Sequence, residues 1–206
     1  MATRKAYVVE HLDPELGPWS MLEYAAIAQE CSSADAAFYL SSIPANLSVP
    51  NELAAERGII IEYHSAEEIF ADRKHRVCLL DPAASADLSP EDIEIFDIFL
   101  FGGILGDDPP RDRTSELRKK GYQGRNLGPV QMTTDTAVRV TRTVIQGQVP
   151  LNEITYLDHP EIRVDEHEST QMPFRYMAND EGYPIMPKGM RDLIKMDSEK
   201  SIEDLI

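Results

Sequence analysis

Five short apolar runs constrain this chain more than any other feature. KAYVVE (5–10), AAFYLSSI (36–43), GIIIEYH (58–64), RVCLLDP (76–82) and DIFLFGG (97–103) recur through the first half of the sequence. None alternates apolar with polar residues, as a strand with one wet face would. Near-continuous apolar runs belong to strands covered on both faces, the habit of a parallel sheet. Helix-like stretches separate them: WSMLEYAAIAQEC (19–31), VPNELAAERG (49–58), stopped by Gly58, HSAEEIFADRK (64–74) and SPEDIEIF (89–96). The last opens with Ser89 as N-cap, Pro90 at the first helical position and Asp92 in the first turn. Strand–helix alternation predicts an open α/β sheet with helices on both faces, and such sheets bind ligands at the carboxyl ends of their strands.

Three of those ends carry unusual chemistry: VVEH, LLDP and FGGILGDDPPRDRT. If their strands are neighbours, the ends converge on one site. The glycines Gly102, Gly103 and Gly106 suit a backbone that something approaches closely. Their GGxxG spacing is neither a phosphate-binding P-loop, which needs a following Lys-Ser/Thr, nor GxGxxG. A structural turn and a ligand loop both fit it. The acids Asp107, Asp108 and Asp112 fit a solvated turn equally well.

Downstream, TSELRKKG (114–121) predicts a helix capped by Thr114 or Ser115 and ended by Gly121. Leu127-Gly128-Pro129 forms a tight turn, and Thr133 or Thr134 caps a helix running to about Gln146, with Val138, Thr141 and Ile145 on one face. ITYLDHPEIRV (154–164) reads as a strand and turn. Residues 174–190 are rich in Pro, Gly and Met, and SIEDLI (201–206) as a short final helix. The length of 206 residues suits one domain, 1–206, with 165–206 as a tail packed on it.

The chain carries 36 acidic against 20 basic residues, a formal charge of −16. That sign repels phosphate backbones and favours a cationic partner, although acidity also serves solubility alone. The two cysteines, Cys31 and Cys78, form no CxxC, and Cys78 in VCLL reads as a small buried hydrophobe. His11, His64, His75, His159 and His167 show no metal-ligand spacing, so no metal is expected. No GxSxG elbow supports a serine triad. Trp19, the single tryptophan, reads as core or as a contact at a helix start. MATRKAYVVEH lacks the apolar stretch of a signal peptide and no run approaches membrane-spanning length; the expectation is a cytosolic protein without a membrane partner.

FLFGGILGDDPPRDRT and NLGPVQMTTDTAVRVTR together resemble the SPOUT methyltransferases, in which a glycine-containing loop follows one strand and an LG turn leads into a helix opening here as Thr134-Asp135-Thr136-Ala137. VVEHLDPELGPWSMLEY, RVCLLDP, QMTTDTA and MPFRYM with GYPIMPKGMRDLIKMD narrow the resemblance to the yeast-type protein-arginine methyltransferases of that superfamily, over about residues 6–206. The resemblance implies a C-terminal trefoil knot built from Leu80-Asp81-Pro82, Phe101 to Asp107 and Leu127 to Thr136, holding S-adenosylmethionine in a bent pose. On this sequence the cofactor residues it implies are Leu80, Asp81, Pro82, Phe101, Gly102, Gly103, Gly106, Leu127, Gly128, Gln131, Met132, Thr133, Thr134 and Thr136. It implies a monomeric enzyme that monomethylates an arginine on the KH-domain protein of the small ribosomal subunit. Gln131-Met132 stand where RNA-modifying relatives carry a basic residue, which argues against direct nucleic-acid binding.

Arginine is a demanding methyl acceptor. Removing its proton fully at neutral pH costs about 8 kcal/mol, roughly six pKa units at about 1.4 kcal/mol each. A carboxylate that grips the fork can orient one nitrogen and take its proton as the methyl arrives. Glu10, at the end of the first strand, ranks first for that task, although it also suits a cap for the following turn. Asp107 and Glu23 follow, with Asp112 behind them. Two rival readings stay open: an RNA methyltransferase of the same fold, and a non-catalytic adaptor that binds the cofactor and a basic ribosomal protein.

Overall fold

The computed structural model describes residues 4–102, 114–163 and 169–203. Each of the five apolar runs forms a strand: β1 (Ala6–Glu10), β2 (Ala37–Ser41), β3 (Ile59–Ile61), β4 (Val77–Leu80) and β5 (Ile98–Gly102). A sixth, β6 (Gln123–Arg125), completes an all-parallel sheet of order β3-β2-β1-β5-β4-β6. Sequence patterning misses β6 because Gln123-Gly124-Arg125 has no apolar residue. Gly124 pairs with Leu79, and a Cβ there would lie 3.0 Å from the Ala84 Cβ.

Strand periodicity sorts the side chains onto two faces. Tyr7, Val9, Phe38, Leu40, Cys78, Leu80, Phe99 and Phe101 pack beneath α1 (Pro18–Ser33) and α5 (Thr134–Ile145). Ala6, Val8, Val77, Leu79, Ile98 and Leu100 pack on the opposite face with Ala66, Phe70 and Leu117. Ala66 belongs to α3 (Ala66–Ile69) and Leu117 to α4 (Ser115–Lys119); α2 (Asn51–Ala54) is a single turn between β2 and β3. Both sets are buried, which is why neither face of these strands alternates with polar residues.

Two helix expectations shift in the structure. Ser89-Pro90 starts a 3-10 turn over Pro90–Ile93 in place of an α-helix, although Ser89 stands at its N-cap as expected and its amide donates to the Asp92 carboxylate at 3.0 Å. The closing helix, α6 (Met190–Glu203), starts well before SIEDLI. Gly189, with φ +86°, sits directly before it, supplying a backbone turn that a side chain would strain.

The irregular C-terminal part forms two small antiparallel pairs, β7 (Tyr156–Asp158) with β10 (Arg175–Met177) and β8 (Glu161–Arg163) with β9 (Ser169–Gln171). Ile162, Met172, Phe174, Tyr176, Met190 and Ile194 build a third small core, against which Trp19 and Leu22 of α1 pack. The C-terminal layer therefore sits over the start of α1. Among the described residues no helix is long and apolar enough to cross a membrane, and no cluster of His, Cys, Asp or Glu could hold a metal.

Candidate active site

Strand order brings the three unusual ends together. β1, β5 and β4 are consecutive in the sheet, so Glu10 lies beside Gly102, and Leu80 beside Phe101. A cavity of about 480 Å³ opens at the ends of β4 and β5. Its walls include Leu80, Asp81, Pro82, Phe101, Gly102, Leu127, Gly128, Gln131, Met132 and Thr134, all of them expected at a cofactor site. Thr133 and Thr136 stand just behind it: both are buried, and the Thr133 hydroxyl donates to Thr136 Oγ1 at 2.8 Å across the first turn of α5. Gly103, Gly106, Asp107 and Asp112 lie outside the described residues. Ala83, Thr114, Arg118, Pro129, Val130 and Ala137 also line the cavity and were not among the cofactor residues expected from the sequence.

The walls are braced by polar contacts. Asp81, 3 % exposed, accepts a forked pair from Arg118 of α4, Nε to Oδ2 at 2.5 Å and Nη2 to Oδ1 at 2.7 Å, and also the Ala83 amide at 2.9 Å. The Arg118 guanidinium holds the Asp81 carboxyl below the usual carboxylate range. Gly102 has a packing reason to be glycine: a Cβ would lie 3.0 Å from the Thr114 Cγ2. Gly128 has a conformational one, with φ +105°. Asn126 ties two walls, accepting from the Gly128 amide and donating to the Ala84 carbonyl, both at 2.9 Å.

The C-terminal layer holds the 127–132 wall from outside. The Arg175 amide donates to the Gln131 carbonyl at 2.8 Å. Its guanidinium stacks over Tyr156 at 4.6 Å and forks onto Asp158 at 2.6 and 2.8 Å.

Walls of this kind fit an adenosyl sulfonium. Leu80, Phe101, Leu127 and Met132 offer apolar surface to a flat ring, and the volume falls in the range of cofactor pockets. The Gln131 side-chain nitrogen is buried without a hydrogen-bond partner, a donor waiting for an acceptor. Arg118 is a cation at the same wall.

The candidate carboxylates occupy contrasting settings. Glu10 shares the parity of Ala6 and Val8, so its side chain falls on the α3/α4 face. Its Oε2 accepts the Ser41 hydroxyl at 2.8 Å and the Ala66 amide at 2.9 Å; its Oε1 accepts the Ser42 hydroxyl at 2.8 Å. It thus tethers the first turn of α3 to the ends of β1 and β2, and it does not line the cavity. Glu23, on α1, is 1 % exposed on the other face. Trp19 Nε1 donates to its Oε1 at 3.2 Å, while Oε2 has no partner. Asp135, beside the cavity-lining Thr134, is 2 % exposed; Arg139 reaches its Oδ2 at 3.2 Å, and Oδ1 has no partner. Burial raises the Glu23 pKa well above its ordinary value, and the nearby Asp135 raises it further.

Sequence reasoning passed over Asp135 and Tyr176 as site residues. Asp135 does carry a legible signal, the i, i+4 spacing to Arg139. Tyr176 lies in an irregular segment without periodicity. Both cysteines are fully buried, which raises the Cys31 thiol to about 12 and the Cys78 thiol as well, so neither is a ready nucleophile.

A parallel sheet with a ligand-sized cavity between loops at its carboxyl edge, and α5 springing from that cavity, defines a SPOUT-type α/β fold. A family model described as protein arginine N-methyltransferase SFM1-like matches residues 6–201, and the chain belongs to that family. It is 44 % identical over 213 residues to protein arginine N-methyltransferase SFM1 of Saccharomyces cerevisiae, covering 97 % of this chain and 99 % of that protein. The crystal structure of the yeast arginine methyltransferase SFM1 complexed with SAM superposes with a TM-score of 0.86 at 42 % identity, over 95 % of this chain and 92 % of that one. A Trm10 structure from Thermococcus kodakaraensis, 16 % identical over 72 % of this chain and 96 % of its own, with a TM-score of 0.51, shares the fold alone.

Proposed function

We infer that this protein is an S-adenosylmethionine-dependent protein-arginine N-methyltransferase. One juxtaposition carries the reading: a cavity with an unpartnered Gln131 amide lies, across Thr134, from two buried carboxyls with unpartnered oxygens. The family membership and the SAM complex of the yeast relative support the same assignment. When bound, the cofactor supplies an electrophilic methyl group.

The chain's own residues do the rest. Leu80, Phe101, Leu127 and Met132 hold the adenosyl part away from water, and Gln131 and the backbone at Gly102 and Gly128 supply hydrogen bonds. Glu23 is the described carboxylate best suited to the acceptor guanidinium, because Glu10 spends both oxygens on three donors. Glu23 Oε2 is free to orient one guanidinium nitrogen and receive its proton. Asp107 and Asp112, in the glycine loop, remain proposed contributors.

The substrate we propose is an arginine on the KH-domain protein of the small ribosomal subunit, modified in the cytoplasm by a monomeric enzyme with a knotted cofactor loop. The charge of −16 favours encounter with a basic ribosomal protein. Incubation of the purified protein with S-adenosylmethionine and small-subunit proteins, followed by intact-mass measurement, tests this. A gain of one methylene on one protein is expected. Labelling of rRNA with a steep salt dependence identifies an RNA enzyme instead, and cofactor binding without any mass change an adaptor.

A further inference from the structure

The loop between β4 and the 3-10 turn at Pro90 has no apolar anchor of its own. From Pro82 to Asp87 no residue is buried, yet Pro82 and Ala83 line the cofactor cavity. An exposed segment at a binding site keeps its shape through polar contacts to a firmer neighbour. Here that neighbour is Asn126, directly after β6. Its backbone amide donates to the Ala86 carbonyl and its backbone carbonyl accepts from the Leu88 amide, both at 2.9 Å. Its side-chain nitrogen donates to the Ala84 carbonyl, again at 2.9 Å. One residue thus pins the loop at positions 84, 86 and 88. The remaining group, the side-chain oxygen, turns the other way and accepts from the Gly128 amide at 2.9 Å. Gly128 belongs to the facing wall of the cavity and holds φ +105°. All four hydrogen-bonding groups of Asn126 are therefore committed to two walls of one cavity.

We propose that Asn126 is a positioning residue for the cofactor: it clamps the 82–88 loop to the 127–132 wall and so fixes the width of the slot between them. This rests on the S-adenosylmethionine reading of the cavity and adds to it a residue that does not itself line the cavity. Asparagine is the side chain this place requires. One wall presents an N–H and the other a C=O, so the clamp must accept and donate at once over a short fixed span. A carboxylate only accepts, and would set an oxygen against the Ala84 carbonyl. A serine hydroxyl is too short to serve both walls, and glutamine is one methylene too long. The bond to the Gly128 amide closes a turn of the asparagine side chain onto the backbone two residues on. The glycine and the exposed loop consequently cannot shift independently. Without the clamp the loop relaxes toward solvent, and a ligand must reorder it on binding. That cost falls on cofactor affinity and not on the chemical step.

Calorimetric titration of the whole protein with S-adenosylhomocysteine tests this. N126D keeps the side-chain shape and the acceptor for Gly128 but removes the donor to Ala84, so affinity should fall about tenfold at neutral pH. In turnover on small-subunit proteins the KM for S-adenosylmethionine should rise by the same factor, with kcat within about twofold of wild type. Lowering the pH should narrow the gap between N126D and wild type titrated side by side, because a protonated carboxyl donates again; N126A should show no such recovery. A merely structural role would lower the urea midpoint of N126D without moving cofactor affinity, and that result overturns the proposal. A loss confined to kcat, or a gap indifferent to pH, overturns it as well. Should N126D fail to fold, N126S carries the same comparison, and unchanged cofactor affinity in N126S refutes the clamp. Wild type that does not bind S-adenosylhomocysteine refutes the methyltransferase reading, whereas wild type and variants that bind it equally refute the clamp alone.

Discussion

Glu10 and Glu23 are equally buried, at 3 % and 1 % exposure, and stand near the same edge of the sheet, yet they are opposites. Glu10 on the α3/α4 side has three donors shared over both its oxygens, two hydroxyls and an amide. Glu23 on the α1/α5 side has the Trp19 indole, the Thr134 hydroxyl and an acid neighbour. Burial of a satisfied carboxylate stabilises a fold, whereas burial of an unsatisfied one costs free energy that a folded chain tolerates only at few places. The comparison teaches that the second kind of burial marks a site, and that depth alone does not.

The largest expected effect separates the two acids. Glu23→Gln keeps the shape of a protonated acid, so methyl transfer should fall at least about 100-fold, while S-adenosylhomocysteine affinity by calorimetry stays within about twofold. The opposite split, with Glu10→Gln inactive at undiminished stability, would hand the chemistry back to Glu10. Next in size, Glu10→Ala orphans two buried donors and the half-buried Ser42 hydroxyl and should cost about 3 kcal/mol in urea unfolding; a loss under about 0.5 kcal/mol would refute its tethering role.

Arg118→Ala leaves Asp81 buried without its fork, and a loss of about 2 kcal/mol is expected, below the full cost for an enclosed pair because Arg118 is partly solvated. The same variant should weaken cofactor binding, so unaltered calorimetry would remove Arg118 from the cavity's function. Arg175→Ala unlocks the 127–132 wall from outside: the KM for S-adenosylmethionine should rise about tenfold with kcat nearly constant. Arg175→Lys should recover little of this, since lysine neither forks onto Asp158 nor stacks on Tyr156 as a plane.

The smallest effects are in pH dependence, where the acids differ in sign. The Glu23 pKa is raised in the folded chain, so its contribution is fully present below the unfolded value, about 4.3, and is lost as pH rises through the folded one. Glu23→Gln should therefore raise the melting temperature at neutral pH and flatten the alkaline side of the curve. Asp81 and Asp97 are depressed, by Arg118 and by Arg76 respectively. Their contributions exist above about 3.9 and disappear as pH falls through their folded values. A Glu23→Gln protein with an unchanged alkaline limb would show that Glu23 is ionised at rest.

Much of this was legible beforehand. The apolar runs located five strands of the sheet, and ten of the residues that the family resemblance implied for the cofactor line the cavity. Those signals are local: a run buried on both faces looks uniform, and a loop that must turn tightly or be closely approached uses glycine. Even Ser89 stands at the N-cap as read, on a 3-10 turn. β6 was not legible, because it joins the sheet through its backbone against Leu79 and offers no pattern of its own.

What the chain order could not decide was which acids meet. Glu23 and Asp135 are 112 positions apart, and Tyr176 is a further 41 beyond. Only the packing of α1 on α5, with β10 laid over both, makes them neighbours. Likewise, β-strand parity, a two-residue rhythm, sent Glu10 to one face of the sheet while the helices set Glu23 on the other. The sequence by itself determined a parallel sheet and the strand ends at which its cavity opens, because burial and turn geometry are written residue by residue. The tertiary structure decided which carboxylates are satisfied, because that depends on partners brought from distant parts of the chain.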